Sequence, residues 1–107
     1  MELWNQKKMK LHTNNIDGEI VKANAVYTLR DNKTLKNLVL SSTELKPGQS
    51  TRGHSHTGQE EVYYFVSGTG EMELDDKKFT VQGGDVVLIE DGVFHRVHNT
   101  SNNPLYF

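Results

Sequence analysis

Polar and apolar positions alternate in short runs along this 107-residue chain, and apolar residues at helical spacing never persist over three turns. β-rich runs between turn signals dominate instead. "GEIVKANAVYTL" (Gly18–Leu29) predicts strand, and "RDNKT" predicts the turn that follows it. "LKNLVLSSTELK" (Leu35–Lys46) predicts the next strand, stopped by Pro47-Gly48. "EEVYYFVSG" (Glu60–Gly68) predicts a third, built of Val, Tyr and Phe. "EMEL" (Glu71–Leu74) alternates, with Met72 and Leu74 on one face and Glu71 and Glu73 on the other. "DDKK" (Asp75–Lys78) turns into "KFTVQ", "GGD" (Gly83–Asp85) turns into "VVLIE", and "DGVF" (Asp91–Phe94) precedes "HRVHN". Strands recurring about every 8–12 residues predict an all-β sandwich or barrel. Residues 1–15 are expected to form an N-terminal arm or an edge strand. "NPLYF" (Asn103–Phe107) starts a last strand that is either very short or paired with another chain.

Composition narrows the class. The length is that of one domain. Charged residues make up 24% and the net charge is −2, a balance that does not favour nucleic acid or an anionic membrane surface as partner. The absence of cysteine excludes disulfide scaffolds and thiolate metal sites. The N-terminal "MELWNQKKMKL" lacks the apolar stretch of a signal peptide, and no apolar run approaches the ~20 residues of a membrane span, so a cytoplasmic protein is expected.

The chemistry concentrates in "GHSHTGQEE". His54 and His56 lie two residues apart, which on a strand puts both rings on one face, roughly 7 Å apart along the chain. Two imidazoles so placed can converge on one ion. Thr57-Gly58 can turn the chain, after which the Glu61 carboxylate could reach the same point. His95, at the head of "HRVHN", is the strongest candidate for a fourth ligand, and alternation places His95, Val97 and Asn99 on one face. Taken alone, the histidine pair also fits exposed loop residues, and Glu60-Glu61 a solvated turn. The combined spacing is what favours a site. No Ser-His-Asp spacing and no phosphate-cradling loop competes with it: the glycines of "SGTGE" do not precede a helix.

At this point the sequence resembles the cupin superfamily. The first cupin motif, G-x5-H-x-H-x3or4-E-x6-G, is filled by Gly48, His54, His56, Glu61 and Gly68. The second, G-x5-P-x-G-x2-H-x3-N, is filled by Gly84, Gly92, His95 and Asn99, with Glu90 where the family has proline. That proline stiffens a turn and binds no metal. Residues 69–83 separate the motifs, as in the shorter microbial cupins. Glu60 fits the shorter spacing of the first motif, but only Glu61 also places Gly68 correctly. The resemblance implies one cupin domain over residues 1–107. Its fold would be a double-stranded β-helix, a jelly-roll-like barrel of antiparallel strands in two packed sheets. Metal would be held by His54, His56, Glu61 and His95.

Four protein ligands would saturate a tetrahedral zinc, whereas three imidazoles and a carboxylate suit a six-coordinate ion with two open positions. One Fe, Mn, Ni or Co ion per chain is therefore expected in preference to Zn. Such an ion can polarise a chelated hydroxyl–carbonyl or carboxylate pair, giving isomerase or lyase chemistry, or bring substrate and O₂ together, giving dioxygenase chemistry. Arg52 shares parity with the two histidines and could clamp a substrate carboxylate or phosphate, or simply lie exposed before the turn. Tyr63 and Phe65 share parity with Glu61. Tyr63 could act as a general acid or hydrogen-bond donor, or be a core aromatic. Phe65, Met72 and Val97 are expected in the pocket wall. His12 and His98 fall outside the motifs and are expected at the surface. Asp85 and Asp91, beside glycines, fit turn roles. The resulting expectation is an enzyme acting on a sugar, keto acid or small aromatic diol. The alternatives are a metal-containing sensor that only binds such a ligand, or a structural barrel. A homodimer would cover the edge strands of so small a barrel.

Overall fold

The computed structural model describes residues 8–107. Among them, nine strands follow one another: β1 (Glu19–Ala23), β2 (Tyr27–Asn32), β3 (Leu40–Leu45), β4 (Glu61–Tyr64), β5 (Thr69–Leu74), β6 (Lys77–Gln82), β7 (Val86–Ile89), β8 (His95–His98) and β9 (Leu105–Tyr106). No helix among the described residues is long and apolar enough to cross a membrane. All ladders are antiparallel and run in the orders β1-β2-β3-β9, β4-β7 and β6-β5-β8. Single bridges add Ser50 and His54 to β8 and Ser67 to β9. The all-β, jelly-roll expectation holds.

Three boundaries differ from the sequence expectation. The run 18–29 is two strands, because Asn24 turns the chain: its Oδ1 accepts from Val26 N at 2.8 Å and Tyr27 N at 2.9 Å. β2 continues through "RDN", read above as turn. Ladder pairing with β3 carries it on, and the buried Asn32 amide donates to Ile16 O at 2.8 Å. Residues 35–39 lie outside β3, which starts at Leu40. Of the arm expected over 1–15, residues 1–7 lie outside the described residues, and 8–15 carry no strand. The short β9 finds its partner within the chain, Leu105 opposite Leu45 and Tyr106 opposite Glu44.

Alternation decides what each strand offers to the interior. In β4, Glu61 and Tyr63 turn inward while Val62 and Tyr64 face out; opposite them Val87 and Ile89 turn inward from β7. The core comprises Leu45, Phe65, Met72, Val81, Val87, Ile89, Val97 and Leu105. Each such side chain, fully buried, contributes about 1.5–3 kcal/mol. Phe65, Met72 and Val97, expected to line the pocket, are sealed in this core at 0%, 0% and 1% exposure. Parity sends them inward as expected, and there they belong to the same buried cluster as Leu45, Ile89 and Leu105 and do not line the cavity.

Candidate metal centre

His54 sits within the first motif, on a segment that lies against β8. Its backbone exchanges two hydrogen bonds with His95, N to O at 3.1 Å and O to N at 2.9 Å. The two rings therefore start from adjacent backbones, and their Nε2 atoms come to 3.1 Å. His56 follows two residues on, where the loop is held by Gly58 N donating to Asp91 Oδ1 at 2.7 Å. This bond joins the turn of the first motif to the turn of the second, a tie beyond Asp91's expected local role. Glu61 opens β4, and its Oε2 lies 2.9 Å from His95 Nε2 and 3.2 Å from His56 Nε2. One donor atom from each of His54, His56, Glu61 and His95 falls within 4.8 Å of all the others.

Proton bookkeeping makes this cluster unusual. His95 Nδ1 lies 3.0 Å from the carbonyl oxygen of Val93. A carbonyl only accepts, so Nδ1–H donates, and in the neutral ring Nε2 is bare. That bare nitrogen faces the Glu61 carboxylate, so their 2.9 Å approach brings together two acceptors. Consistent with this, Glu61 Oε2 is buried without a hydrogen-bond partner among the described residues. Such an atom normally has a partner in a folded protein, and a cation shared by the acceptors supplies one.

The electrostatics agree. Burial holds the His54 pKa below its ordinary 6.5, and the neighbouring His95 and His56 push it the same way against the pull of Glu61. Below about pH 6.5 the folded protein then binds fewer protons at His54 than the unfolded chain does. Stability of the metal-free protein is accordingly full above that pH and falls as the pH drops below it. Urea midpoints across this range check the sign, and a midpoint that rises on acidification would contradict it.

A cavity of about 1110 Å³ opens beside the cluster, lined in part by Arg52, His54, Glu61, Tyr63, His95 and Phe107. Arg52 is exposed and forms no hydrogen bond or ion pair with another described residue. Tyr63 stacks on Phe107 with ring centroids 5.1 Å apart and meets His95 edge-on at 5.7 Å. Burial, then the Glu61 charge, raises the Tyr63 pKa well above its usual 10, so the hydroxyl stays protonated near neutrality and can donate. Glu60 is exposed beside the cluster.

Gly53 supplies the local bend. Its φ is +82°, and a Cβ there would lie 2.6 Å from the Phe94 ring and 3.2 Å from Arg96 Cβ. Gly53→Ala is expected to cost at least about 1 kcal/mol from the left-handed backbone alone, read as a lower urea midpoint. An unchanged midpoint would show that the loop relaxes freely.

One residue behaves unlike the expectation. His98 is not a free surface histidine: its side chain is 18% exposed and lies between Ser50 Oγ at 2.7 Å and Glu73 Oε1 at 2.9 Å. That hydrogen bond holds the Glu73 carboxyl below the usual range. Asn99 is buried and donates to Leu45 O at 3.0 Å and Asn103 O at 2.8 Å, a latch between β3 and the loop before β9. The sequence signal for His98 was available: Glu73 and His98 are diagonal neighbours on adjacent strands. His12 is exposed, as expected.

Comparison with known proteins places this geometry. An uncharacterized protein of Methanocaldococcus jannaschii is 41% identical over 58 residues, which cover 54% of this chain and 46% of that protein. An oxalate-binding protein of Thermotoga maritima is 36% identical over 64 residues, covering 60% of this chain and 53% of that one. The chain thus spans about half the length of the curated relatives it matches. Among solved structures, a predicted oxalate decarboxylase from Thermotoga maritima superposes with a TM-score of 0.73 at 25% identity, over 92% of this chain and 94% of that one. Residues 41–107 match the family model described as "Cupin domain". That match runs from β3 to the last residue and takes in both motifs, so the chain belongs to the cupin family.

Proposed function

We propose that the chain works as one metal-dependent cupin domain: His54, His56, Glu61 and His95 hold a divalent transition metal, and the cavity takes a small carboxylate-bearing metabolite on which the protein acts as an enzyme. The observation that carries the reading is the convergence of one donor atom from each of the four residues within 4.8 Å, with Glu61 Oε2 buried there without a hydrogen-bond partner. Three imidazoles and one carboxylate beside an open cavity suit Mn, Fe, Ni or Co better than Zn. Such an ion supplies Lewis-acid polarisation of a chelated carboxylate or hydroxyl–carbonyl pair.

The chain's own residues have separable roles in this reading. Val93 O fixes the His95 ring and presents Nε2 to the cluster. Arg52, on the cavity wall and free of other pairing among the described residues, pairs with a carboxylate oxygen of the metabolite. The Tyr63 hydroxyl, kept protonated, donates to an oxygen of the same molecule, and the stacked Phe107 holds its ring in place. The oxalate-binding relative, at 36% identity, supports the carboxylate class. Its name also favours a second reading, binding without turnover. A homodimer belongs to the proposal as well, supported by the four apolar side chains Val62, Tyr64, Val86 and Leu88 exposed on the outer face of the β4–β7 ladder.

The test incubates Mn- or Fe-loaded protein with oxalate, small keto acids, sugars and aromatic diols, following heat of binding, O₂ uptake and product. Turnover with O₂ uptake assigns dioxygenase chemistry, and turnover without it isomerase or lyase chemistry. Binding without product establishes the second reading. Neither binding nor product across the panel would overturn the proposal.

A further inference from the structure

We infer that Ser50 and His98 are positioning residues for the site, setting the register of the segment that carries His54 without touching metal or substrate themselves. The inference rests on the metal reading proposed above. The segment 49–54 belongs to no named strand and is held to β8 by a short zipper. Asn99 N donates to Gln49 O at 2.8 Å, Thr51 N to Val97 O at 2.9 Å, Val97 N to Thr51 Oγ1 at 3.0 Å and Arg96 Nε to Thr51 O at 2.8 Å. The pair His54–His95 closes its far end.

Irregular pairing of this kind specifies register weakly, and a slip of one residue would turn His54 to the opposite face. A side-chain clamp at Ser50 opposes that slip. His98 stands on β8, whose register is fixed independently by its ladder with β5, Leu74 opposite His95 and Glu71 opposite His98. The Glu73 carboxylate accepts from His98 Nε2–H, so the neutral ring offers Nδ1 as acceptor to the Ser50 hydroxyl. Both ring nitrogens are therefore satisfied in one orientation, and the Ser50 bond of 2.7 Å ties the start of the segment to a fixed strand. Four residues on, the same segment delivers His54 to His95.

The experiment titrates metal-stripped protein with Co(II), reading affinity and the visible d–d spectrum, which reports ligand geometry without any turnover. Groups that orient metal ligands typically change affinity about 10–100-fold when removed. Ser50→Ala is expected to weaken Co(II) binding by about tenfold or more and to shift the spectrum, and Ser50→Thr, which keeps the hydroxyl, to restore both. Wild-type affinity and spectrum in Ser50→Ala would overturn the inference while leaving the metal reading intact. A wild-type protein that binds no Co(II) would overturn both. Should Ser50→Ala not fold, His98→Asn carries the test, because its amide oxygen takes the place of Nδ1 as acceptor. His98→Ala, which removes the acceptor, is then expected to weaken Co(II) binding by about tenfold or more and His98→Asn to recover it, whereas wild-type affinity and spectrum in His98→Ala would overturn the inference.

Discussion

His95→Ala is expected to abolish metal binding, weakening it beyond the about 100-fold that loss of an orienting neighbour produces. His95 is the most buried of the four clustered residues, at 2% exposure, and its Nε2 lies within 3.1 Å of both His54 Nε2 and Glu61 Oε2. Its removal takes away the centre of the cluster as well as one donor. Metal analysis of the purified variant, against wild type and His12→Ala, checks this. His12 is exposed and outside the cluster, so that control retains wild-type metal content. Full metal content in His95→Ala would remove His95 from the ligand set.

The largest stability effect is expected at Phe65. Its ring is fully buried, 5.2 Å from Phe107 and 6.5 Å from Tyr63 by centroid. Phe65→Ala leaves a cavity that close-packed neighbours fill only in part, at a cost of about 3–5 kcal/mol. Against a total of about 5–15 kcal/mol for a domain, that is a large fraction of the stability. The melting temperature should fall by at least about 12 °C. Because Phe107 and Tyr63 lose a packing neighbour, the metal site should also loosen. A loss below about 1 kcal/mol would place Phe65 in a wall that collapses readily, and so closer to the pocket role its parity suggested.

The residues that contribute to this account were unequally legible in the sequence. The His–Glu cluster was legible because its determinants are local: two histidines at strand spacing, a turn at Thr57-Gly58, and a carboxylate on the returning strand. His95 required the second motif, since its contact with His54 spans 41 positions. Inward parity was legible too, but parity does not separate filled interior from cavity wall. For that reason Tyr63 lines the cavity while Phe65, two residues on, is core. "RDN" misled because its polar side chains find tertiary partners: Ser41 Oγ donates to Asp31 at 2.7 Å, and Asn32 reaches Ile16. The turn at Asn24 was hidden inside a β-rich run, its asparagine the only signal. His98 lies outside both motifs, and so the sequence gives it no site role. In a barrel the opposite face of one strand still meets the side chains of its neighbours, here Glu73 and Ser50.

One ion is expected to sit among His54, His56, Glu61 and His95. Anomalous diffraction from crystals soaked in Mn(II) tests it most directly. A single strong peak per chain is expected, about 2.0–2.3 Å from the three imidazole Nε2 atoms and a Glu61 carboxylate oxygen. A peak elsewhere, or no peak at saturating Mn(II), would contradict it.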